Sequence, residues 1–340
     1  PLDPSKTLIF QDNNFQDEIY KNALWQNYYV GIDLGGTNTK IGILNIEGEI
    51  FKSTVIKTLS SEGAERTLTR IWEAAKGLAE DLKIKESSIK GIGIGIPGPV
   101  INQSIVAFFA NFPWGENVDI KAMMEKISGV ETKLDNDVNI IALGEAKYGA
   151  AKGSKTSVTV ALGTGVGGGI YVDGKLISGF MGAGGEIGHM KLVKDGKLCG
   201  CGQKGCFEAY ASATGLIREA TSRLIVNKQN LLYTMIEGKL DTLEAKDIFD
   251  AAKEGDKFSL DLVDYEAEYL AMGIGNILNI INPEKVVLGG GVAMAGDILM
   301  NPMKEKLKKY ALPVTLKGIE IVQGMLGNEA GIKGAVGLFN

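Results

Sequence analysis

The amino-acid sequence predicts an α/β protein built from two domains of similar architecture, with a cleft between them. Its 340 residues are about twice the length of an average domain. Strands followed by helices recur roughly twice along the chain. Each half opens with strands that lead into a glycine-rich stretch, at residues 33–37 in the first half and 163–167 in the second. This repetition favours two similar units over one large unit.

Hydrophobic periodicity places the elements of the first half. Alternating or continuous apolar runs predict strands at residues 28–33, 40–45, 48–54, 91–96 and 131–135. Helical spacing of apolar residues predicts helices at residues 64–82, 120–128 and 138–148. The dipeptide Asn136-Asp137 therefore lies where a strand meets a helix.

The second half follows a similar plan. Its apolar runs predict strands at residues 157–162, 170–172 and 285–288, with a glycine-rich loop at 163–169 between the first two. Residues 207–279 are predicted to be mostly helical, and a last helix follows Gly327. The first 28 residues show neither period, and we interpret residues 1–28 as an N-terminal extension with one short helix at 16–25.

Charge and cysteine content exclude several classes of protein. The net charge is −5, and acidic and basic residues are mixed along the chain, which argues against nucleic acid or an anionic membrane as a partner. No apolar run approaches the roughly 20 residues of a membrane helix, and no signal-peptide pattern opens the chain. The three cysteines lie close together and cannot all pair in disulfides. They predict a metal site in a protein of the reducing cytoplasm.

Residues 33–40 form a turn between two predicted strands. Glycines at Gly35 and Gly36 leave room for backbone N–H groups to close on a phosphate. Asp33 can hold Mg²⁺ directly or through water. The pattern is not a Walker A loop, because it lacks that spacing and the following helix, and an ordinary hairpin turn is the alternative. The side chains that add hydrogen-bond donors or positive charge are Thr37, Asn38, Thr39 and Lys40.

A second glycine-rich segment, residues 162–169, also lies between two predicted strands. Because no helix follows its glycines, the spacing does not predict a dinucleotide-binding fold. The setting fits a second phosphate loop that faces the first and includes Gly163, Thr164 and Gly165. A mobile glycine hairpin is the less favourable alternative, since glycine at this density costs stability.

Asn136 and Asp137 stand at a strand-to-helix junction, where either residue makes a good helix N-cap. The functional interpretation is that this pair holds a general base. A hydroxyl group is a poor nucleophile in phosphoryl transfer until a carboxylate accepts its proton. Strand ends beside a cleft are the usual position of such groups in α/β proteins.

The only histidine and all three cysteines fall between positions 189 and 206. Three thiolates and one imidazole complete the tetrahedral shell of a Zn²⁺ ion. Four protein ligands leave no open position, so this zinc is predicted to be structural. Glu186 and Glu208 flank the cluster, and carboxylates of this kind hold the ring hydroxyls of sugars, although a solvated surface charge is the alternative for each. The predicted ligands are His189, Cys199, Cys201 and Cys206.

Taken together, these residues resemble the ROK family of repressors, open reading frames and kinases. The match runs from about Tyr29 to the C-terminus. Residues 158–189 are similar to the family's defining pattern, and Cys199-Gly-Cys-Gly-x-x-Gly-Cys206-x-Glu208 resembles its zinc motif. The resemblance implies an actin-like, or ribonuclease H-like, two-domain sugar kinase fold with a central cleft. The small domain would comprise residues 29–136 with 326–340, and the large domain residues 137–325 with the zinc knuckle.

The same resemblance implies roles for individual residues. Asp137 would be the catalytic base, with ATP and Mg²⁺ as the phosphoryl donor. ATP contacts would come from both phosphate loops, and from Gly289, Gly290 and Gly291 on the adenosine side. Residues 109–116 resemble the glucokinase branch, which implies phosphorylation of glucose at its 6-hydroxyl, and members usually form homodimers or homotetramers. The residues that match sugar contacts are Gly98, Asn111, Asn136, Asp137, Glu186, His189 and Glu208.

Two other functions are compatible with these motifs. One is a kinase for another sugar, chiefly N-acetylmannosamine, with fructose or allose as further substrates, because the same Asp137 and zinc would serve each. The other is a truncated form of a sugar-responsive transcriptional repressor of the same family, whose complete members carry an N-terminal winged helix. We expect an enzyme, because the segment before Tyr29 is too short and too acidic for such a domain.

Overall fold

The computed structural model describes residues 27–340, so the helix predicted at residues 16–25 lies outside the described part. In chain order the strands are β1 (Tyr28–Leu34), β2 (Asn38–Leu44), β3 (Ile50–Lys57), β4 (Ile89–Ile96), β5 (Val100–Ile101), β6 (Ile105–Phe108), β7 (Glu116–Asp119), β8 (Thr132–Asn136), β9 (Thr156–Leu162), β10 (Val166–Val172), β11 (Lys175–Leu176), β12 (Lys285–Gly289) and β13 (Glu320–Gln323).

The α-helices are α1 (Ala64–Asp81), α2 (Ile120–Ser128), α3 (Asp137–Tyr148), α4 (Glu208–Ala211), α5 (Ala213–Val226), α6 (Leu231–Met235), α7 (Ala245–Lys253), α8 (Lys257–Ile281), α9 (Asp297–Leu307) and α10 (Ala330–Gly337). Short 3₁₀ turns lie at Ser60–Glu62, Glu86–Ser88, Ile187–His189, Leu240–Thr242, Val292–Ala295 and Gly327–Glu329.

The strands form two five-stranded sheets of the same topology. The N-terminal sheet has the order β3-β2-β1-β4-β8, and the C-terminal sheet has the order β11-β10-β9-β12-β13. In each sheet the first strand is central, with an antiparallel meander on one side and two parallel strands on the other. The repetition predicted from the sequence is thus confirmed as a repeated sheet order.

Several short elements were not predicted by the sequence patterns. They are the small antiparallel sheet β5-β6-β7, the edge strands β11 and β13, and helix α9. The strands among them have two to four residues, which is too short for apolar alternation to be read. Helix α9 contains Pro302, a residue that normally interrupts a helical pattern.

The glycine-rich stretch at residues 163–169 is not a single loop, contrary to the sequence-based prediction. Strand β10 begins at Val166, so only residues 163–165 form the turn. A Cβ atom at Gly167 would lie 2.7 Å from a methyl group of Val138, and one at Gly168 would overlap Ile187. Because successive strand residues face opposite sides, these glycines let two different segments pack closely on the two faces of β10.

Helices α3 and α10 lie side by side between the two sheets. Helix α10 packs on β1 and β4, and α3 packs on β9 and β10. Where the helices cross, a Cβ atom at Gly144 would lie 2.7 Å from the Ala330 carbonyl oxygen, and one at Gly334 would overlap the Ile140 carbonyl. Only glycine permits this backbone-to-backbone contact, which joins the two halves of the chain.

A buried carboxylate ties the same helix pair together. Glu145 of α3 has a relative exposure of 3%. Its side chain accepts hydrogen bonds from the amides of Ala150 (2.8 Å), Met325 (3.2 Å) and Leu326 (3.0 Å). Residues 325 and 326 precede α10, so Glu145 fixes the approach of the chain to that helix.

Each sheet has its own apolar core. The N-terminal core combines sheet residues such as Ile32 and Ile94 with Leu68 of α1, and the C-terminal core combines Val158 with Leu270 of α8. Among the helices of residues 27–340, none combines the length and the apolar composition that a bilayer crossing requires.

The C-terminal half contains one buried acid whose carboxyl group forms no hydrogen bond within residues 27–340. Glu266 of α8 is fully buried, and neither of its carboxyl oxygens has a hydrogen-bond partner within the described chain. Burial raises the pKa of Glu266 well above its usual value. The folded protein therefore holds this carboxyl group neutral at a pH where the unfolded chain would ionise it.

We predict that Glu266→Gln stabilises the protein at neutral and alkaline pH. A raised pKa in the folded state means that stability is lost as pH rises, and the amide removes that loss while keeping the size of the side chain. Urea unfolding should show a larger free energy of unfolding for the variant at about pH 8 and a vanishing difference near pH 4.

Glu268→Gln is the matched control on the same helix. Glu268 accepts a hydrogen bond from Tyr310 and pairs with Lys306, and these contacts lower its pKa. That substitution should destabilise the protein at neutral pH, with the effect fading on acidification. A Glu266→Gln variant that follows the same trend as the control would contradict the assignment of a neutral buried acid.

Candidate active site

The turn between β1 and β2 is the first of the two predicted phosphate loops. Its backbone is closed by a hydrogen bond from the Gly35 amide to the Asn38 carbonyl (3.1 Å). One predicted donor is absent from the surface of this loop, because the side chain of Thr39 is buried and bonds to the Thr58 hydroxyl (2.9 Å). Strand β2 has begun by this position, so Thr39 faces the core. The exposed residues of the turn are Gly36, Thr37 and Asn38.

Asp33 and Lys40 lie together at the base of this loop. Lys40 Nζ is 3.5 Å from Asp33 Oδ2 and 3.4 Å from the Asn328 carbonyl oxygen. A Cβ atom at Gly331 in α10 would lie 2.5 Å from the carboxyl carbon of Asp33, so the helix approaches this acid closely. The pair offers a carboxylate suited to a hard cation and an ammonium group suited to a phosphate.

The second predicted phosphate loop is the turn at residues 163–165, between β9 and β10. The Gly163 amide donates to the Gly165 carbonyl (3.0 Å). Glu208 closes the loop from outside, since its Oε2 accepts a hydrogen bond from the Val166 amide (3.0 Å) and occupies the space where a Gly165 side chain would be. Thr164 and Gly165 line a cavity of about 280 Å³ that extends to Glu208.

The predicted adenosine glycines follow strand β12. Gly289, Gly290 and Gly291 line a larger cavity of about 540 Å³, together with Asp33 and Lys40. Gly290 has a φ of 85° and lies too close to the Leu162 carbonyl for a Cβ atom. The structure thus brings Asp33 and Lys40, at the base of the first loop, and the adenosine glycines to one cavity, and places Thr164 and Gly165 on the smaller one.

Asn136 and Asp137 lie at the junction between β8 and α3, as predicted. The Asn136 side chain accepts hydrogen bonds from the amides of Val138 (3.0 Å) and Asn139 (3.4 Å) and so caps the helix. The side-chain amide group of Asn136 donates a hydrogen bond to the Gly98 carbonyl oxygen (3.2 Å). Asp137 is the first helical residue, and its Oδ1 accepts from the Val138 amide (2.9 Å). Because Asn136 provides the cap, Asp137 is not needed for that role.

The acidity of Asp137 is unusual for an aspartate. Burial raises its pKa to about 6, and the negative charge of Asp33 adds to the rise. Hydrogen bonding from the Val138 amide acts in the opposite direction and is outweighed. A carboxylate whose pKa lies near neutrality can accept a proton efficiently and release it again, which is the property of a general base.

Gly98 precedes the small sheet β5-β6-β7, and Asn111 lies in the loop between β6 and β7. Gly98 has a φ of 114°, and a side chain there would overlap the Phe108 carbonyl. Asn111 is exposed, and within residues 27–340 no hydrogen bond joins it to another predicted site residue. Its loop is held by aromatic contacts, among them Trp114 packed against Phe112 with ring centroids 4.6 Å apart. The structure therefore brings Gly98, but not Asn111, into contact with Asn136.

The predicted metal ligands converge on one point. The ligand atoms of the cluster all lie within 4.8 Å of one another. Cys201 Sγ and Cys206 Sγ are 3.7 Å apart, and Cys199 Sγ is 3.7 Å from His189 Nδ1. Ligands 2.3 Å from a tetrahedral zinc would be about 3.8 Å apart, so the spacing fits that ion. Lys191 Nζ lies 2.8 Å from Cys206 Sγ and can stabilise a thiolate.

The two ring nitrogens of His189 face different groups. Nδ1 points to the cysteine cluster, and Nε2 lies 3.9 Å from Glu186 Oε2. Glu208 contacts the cluster too, with its Oε1 3.5 Å from Cys199 Sγ. Two carboxylates and an imidazole nitrogen are thus positioned by the same four-residue cluster.

Residues 29–340 match the ROK family. The chain belongs to the ROK family. A glucokinase of Halalkalibacterium halodurans is 40% identical to it over 309 residues, covering 90% of this chain and 93% of that protein.

Solved ROK structures have the same fold. A ROK family glucokinase from Streptomyces griseus, in complex with glucose and AMPPNP, has a TM-score of 0.75 and 31% identity, covering 92% of this chain and 98% of that one. A ROK family transcriptional regulator, a homologue of an E. coli MLC protein, has a TM-score of 0.81 and 26% identity, covering 92% and 77%. The predicted actin-like fold is confirmed, and it occurs in both kinases and regulators.

Sequence reasoning missed two polar residues next to this site. Asp135 is buried behind Asn136 and bonds to Ser178, which lies in the other half of the chain. One signal was available, since two consecutive polar residues, Asp135 and Asn136, end strand β8. The partner Ser178 had none, because the contact joins residues 43 positions apart.

We predict that Asp137→Asn raises the stability of the protein above pH 6. Because burial raises the pKa of Asp137 to about 6, ionisation in the folded state is unfavourable and stability is lost as pH rises through that value. The amide avoids this loss, which is worth about 1–3 kcal/mol. Thermal unfolding at about pH 5 and pH 8 measures it, and a variant less stable than the wild type at the higher pH would contradict the shift.

Proposed function

We propose that this ROK protein transfers the γ-phosphoryl group of ATP to the 6-hydroxyl of a hexose, with glucose as the preferred acceptor. The position and acidity of Asp137 support the proposal. Its carboxyl group has a pKa of about 6, and it lies close enough to Asp33 for the charge of Asp33 to raise that pKa. Glucose and ATP as substrates are supported by the 40% identity to a glucokinase and by the likeness to a glucokinase structure containing glucose and AMPPNP.

In the proposed reaction the 6-hydroxyl oxygen attacks the γ-phosphorus while Asp137 accepts the hydroxyl proton. The bond between the γ-phosphorus and the bridging oxygen of ADP breaks, and glucose 6-phosphate and ADP leave. Asp33 would hold Mg²⁺, which offsets phosphate charge when bound. Phosphate oxygens would accept hydrogen bonds from backbone amides of the first loop and from those of Thr164 and Gly165, with Lys40 as the adjacent positive charge.

We propose that the sugar lies between the two sheets, touched by Asn136 on one side and by Glu186 on the other. His189 Nε2 faces away from the cysteine cluster and is free to meet the 2-hydroxyl of glucose. Glu208, held by the Val166 amide, would act at the junction of the sugar and phosphate sites. Gly98 and Asn111 would complete the pocket, the latter after its exposed loop folds onto the sugar.

A structural Zn²⁺ is the second part of the proposal. The separations within the His189 and cysteine cluster fit tetrahedral zinc, and four protein ligands leave no position for a reactive water. Bound zinc would fix the imidazole and restrain Glu208 through the Cys199 contact. The metal would thus organise the sugar site without taking part in the chemistry.

Four further properties are proposed with this function. Residues 29–136 with 326–340 would move as a small domain against residues 137–325, about the crossing of α3 and α10. We place the enzyme in the cytoplasm, where reduced thiols remain available for zinc. We also propose a homodimer or homotetramer, and small-molecule substrates rather than nucleic acid or membrane partners.

The regulator with a TM-score of 0.81 supports a second function, that of a sugar-responsive transcriptional repressor. The regulator and the glucokinase structure share this fold, so turnover rather than fold distinguishes the two functions. Turnover separates them, since a repressor without kinase activity would bind the sugar and leave ATP intact.

We predict that glucose has the highest kcat/KM in an ATP-consumption screen of hexoses and N-acetylhexosamines. A site that bonds the 2-hydroxyl can reject an analogue lacking it by about 10⁴-fold.

Asp137→Asn should lower kcat for glucose by about 10²–10⁴-fold while the variant still binds the sugar, because the amide cannot accept a proton.

The outcomes of this screen distinguish the proposals. A larger kcat/KM for N-acetylmannosamine would overturn the choice of glucose and leave the kinase mechanism in place. Near-normal turnover by Asp137→Asn would remove Asp137 from its role. No turnover of any sugar by the wild type, with tight glucose binding, would favour the repressor.

We predict one tightly held zinc per chain. Cys201→Ala should lose the metal and lower both thermal stability and glucose affinity, because His189 and Glu208 would no longer be restrained. Metal analysis of protein purified without chelator checks the stoichiometry. Lys204→Ala, an exposed non-ligand in the same hairpin, is the control and should keep its zinc. Occupancy below about half would contradict a structural site.

A further inference from the structure

Asp135 is a buried carboxylate that the reaction above does not use. It precedes Asn136 at the end of β8 and has a relative exposure of 2%. Its oxygens accept three hydrogen bonds, from the Asn136 amide (2.7 Å), the Asn139 side-chain amide (2.9 Å) and the Ser178 hydroxyl (3.0 Å). Burial raises the pKa of Asp135, and the three donors oppose that rise.

Capping of α3 does not explain this arrangement. The Asn136 side chain already accepts from the first amides of the helix, those of Val138 and Asn139. Burying a further carboxylate costs free energy unless its partners repay the loss of hydration. Because Asn136 already caps α3, the free-energy cost of burying Asp135 indicates a role for Asp135 other than helix capping.

Ser178 connects Asp135 to residues 178–189, here called the sugar loop because they include the proposed sugar contacts Glu186 and His189. Ser178 follows strand β11 of the C-terminal sheet. Its carbonyl accepts a hydrogen bond from the Gly184 amide (2.8 Å), which closes a turn at the base of this loop. One carboxylate thus holds the strand end of Asn136 and Asp137 and, from the other sheet, the base of the sugar loop.

Asn139 provides a second contact between the same two segments. Its side-chain amide bonds to Asp135, but its Oδ1 is buried and has no partner within the described chain. This oxygen faces the sugar loop, since a Cβ atom at Gly185 would lie 3.8 Å from it. A buried acceptor without a donor is unfavourable, and a small movement of the loop would bring a backbone amide to it.

We propose that Asp135 is a positioning residue for phosphoryl transfer, which sets the geometry between Asp137 and the sugar loop through Ser178 and Asn139. The proposal rests on the proposed kinase function. When sugar binds, the loop moves onto Asn139, and Asn139 Oδ1 accepts a hydrogen bond from the amide of Gly185 or Glu186. A displacement of about 1 Å between a base and its substrate can cost about 10²-fold in rate, so such a link affects turnover strongly.

The test compares two pairs of variants. Asp135→Asn and Ser178→Ala break the link, and Asp119→Asn and Ser104→Ala are the controls. Asp119 accepts from the Ser104 hydroxyl (2.8 Å) and the Ala122 amide (2.9 Å), so it matches the Asp–Ser contact away from the site. We expect kcat for glucose to fall about 10–100-fold in Asp135→Asn and about 3–10-fold in Ser178→Ala, with KM for ATP within about 3-fold of the wild type. The control variants should keep the wild-type kcat.

The double variant Asp135→Asn/Ser178→Ala should be no slower than Asp135→Asn alone, because both changes break one link. Effects that multiply would overturn the coupling. A stable Asp135→Asn with kcat within about 2-fold of the wild type would overturn the positioning role. If Asp135→Asn does not fold, wild-type kcat in Ser178→Ala overturns it equally.

Hydrogen exchange makes the result independent of turnover. Without sugar, amides of residues 178–189 should exchange faster in Asp135→Asn and Ser178→Ala than in the wild type, and at the wild-type rate in Asp119→Asn. Unchanged exchange would overturn the proposal even if the protein phosphorylates no sugar. A wild type that phosphorylates no sugar, but shows the exchange difference, would instead contradict the kinase function alone.

Discussion

The contact between helices α3 and α10 is the constraint on which the rest of the structure depends. Glycine at positions 144 and 334 lets the two backbones touch, and each helix then packs on a different sheet. Asp137 begins α3, while Gly331 near the start of α10 lies against Asp33. A side chain at the crossing would force the helices apart and would separate these two carboxylates, so the packing of the helix pair determines the geometry of the site.

Proximity of the carboxylates has an electrostatic consequence. Asp33 and Asp137 repel each other, and Lys40 lies 3.5 Å from Asp33. Together with burial, this repulsion makes Asp137 less acidic than a surface aspartate. Ionisation of Asp137 therefore lowers the stability of the folded protein at neutral pH. The same raised pKa lets its carboxylate accept a proton, and this compromise is often seen at active sites.

The sugar loop is held by two different kinds of anchor. On one side the cysteine cluster restrains His189 and Glu208 through sulfur contacts of 3.5 to 3.7 Å. On the other side Asp135 holds Ser178 at the base of the loop. The proposed zinc would resist local distortion, whereas one hydrogen-bonded carboxylate would allow the loop to shift as a unit. This combination would suit the proposed movement of the loop onto a sugar, during which the loop keeps its internal shape.

Most of the functional pattern could be predicted from the sequence, because it is local. The ligands of the cysteine cluster lie close along the chain, the loop at Gly35 and Gly36 follows a strand, and Asn136-Asp137 ends another. Repeated strand and glycine patterns also predicted two units of similar architecture, which the structure shows as a repeated sheet order. Only the tertiary structure decided which glycines form turns and which allow close packing between segments. It also decided that Thr39 faces the core and that Asp135 accepts a hydrogen bond from Ser178. Those outcomes depend on contacts between residues far apart in the chain, and neither periodicity nor spacing records which distant groups will share a buried space.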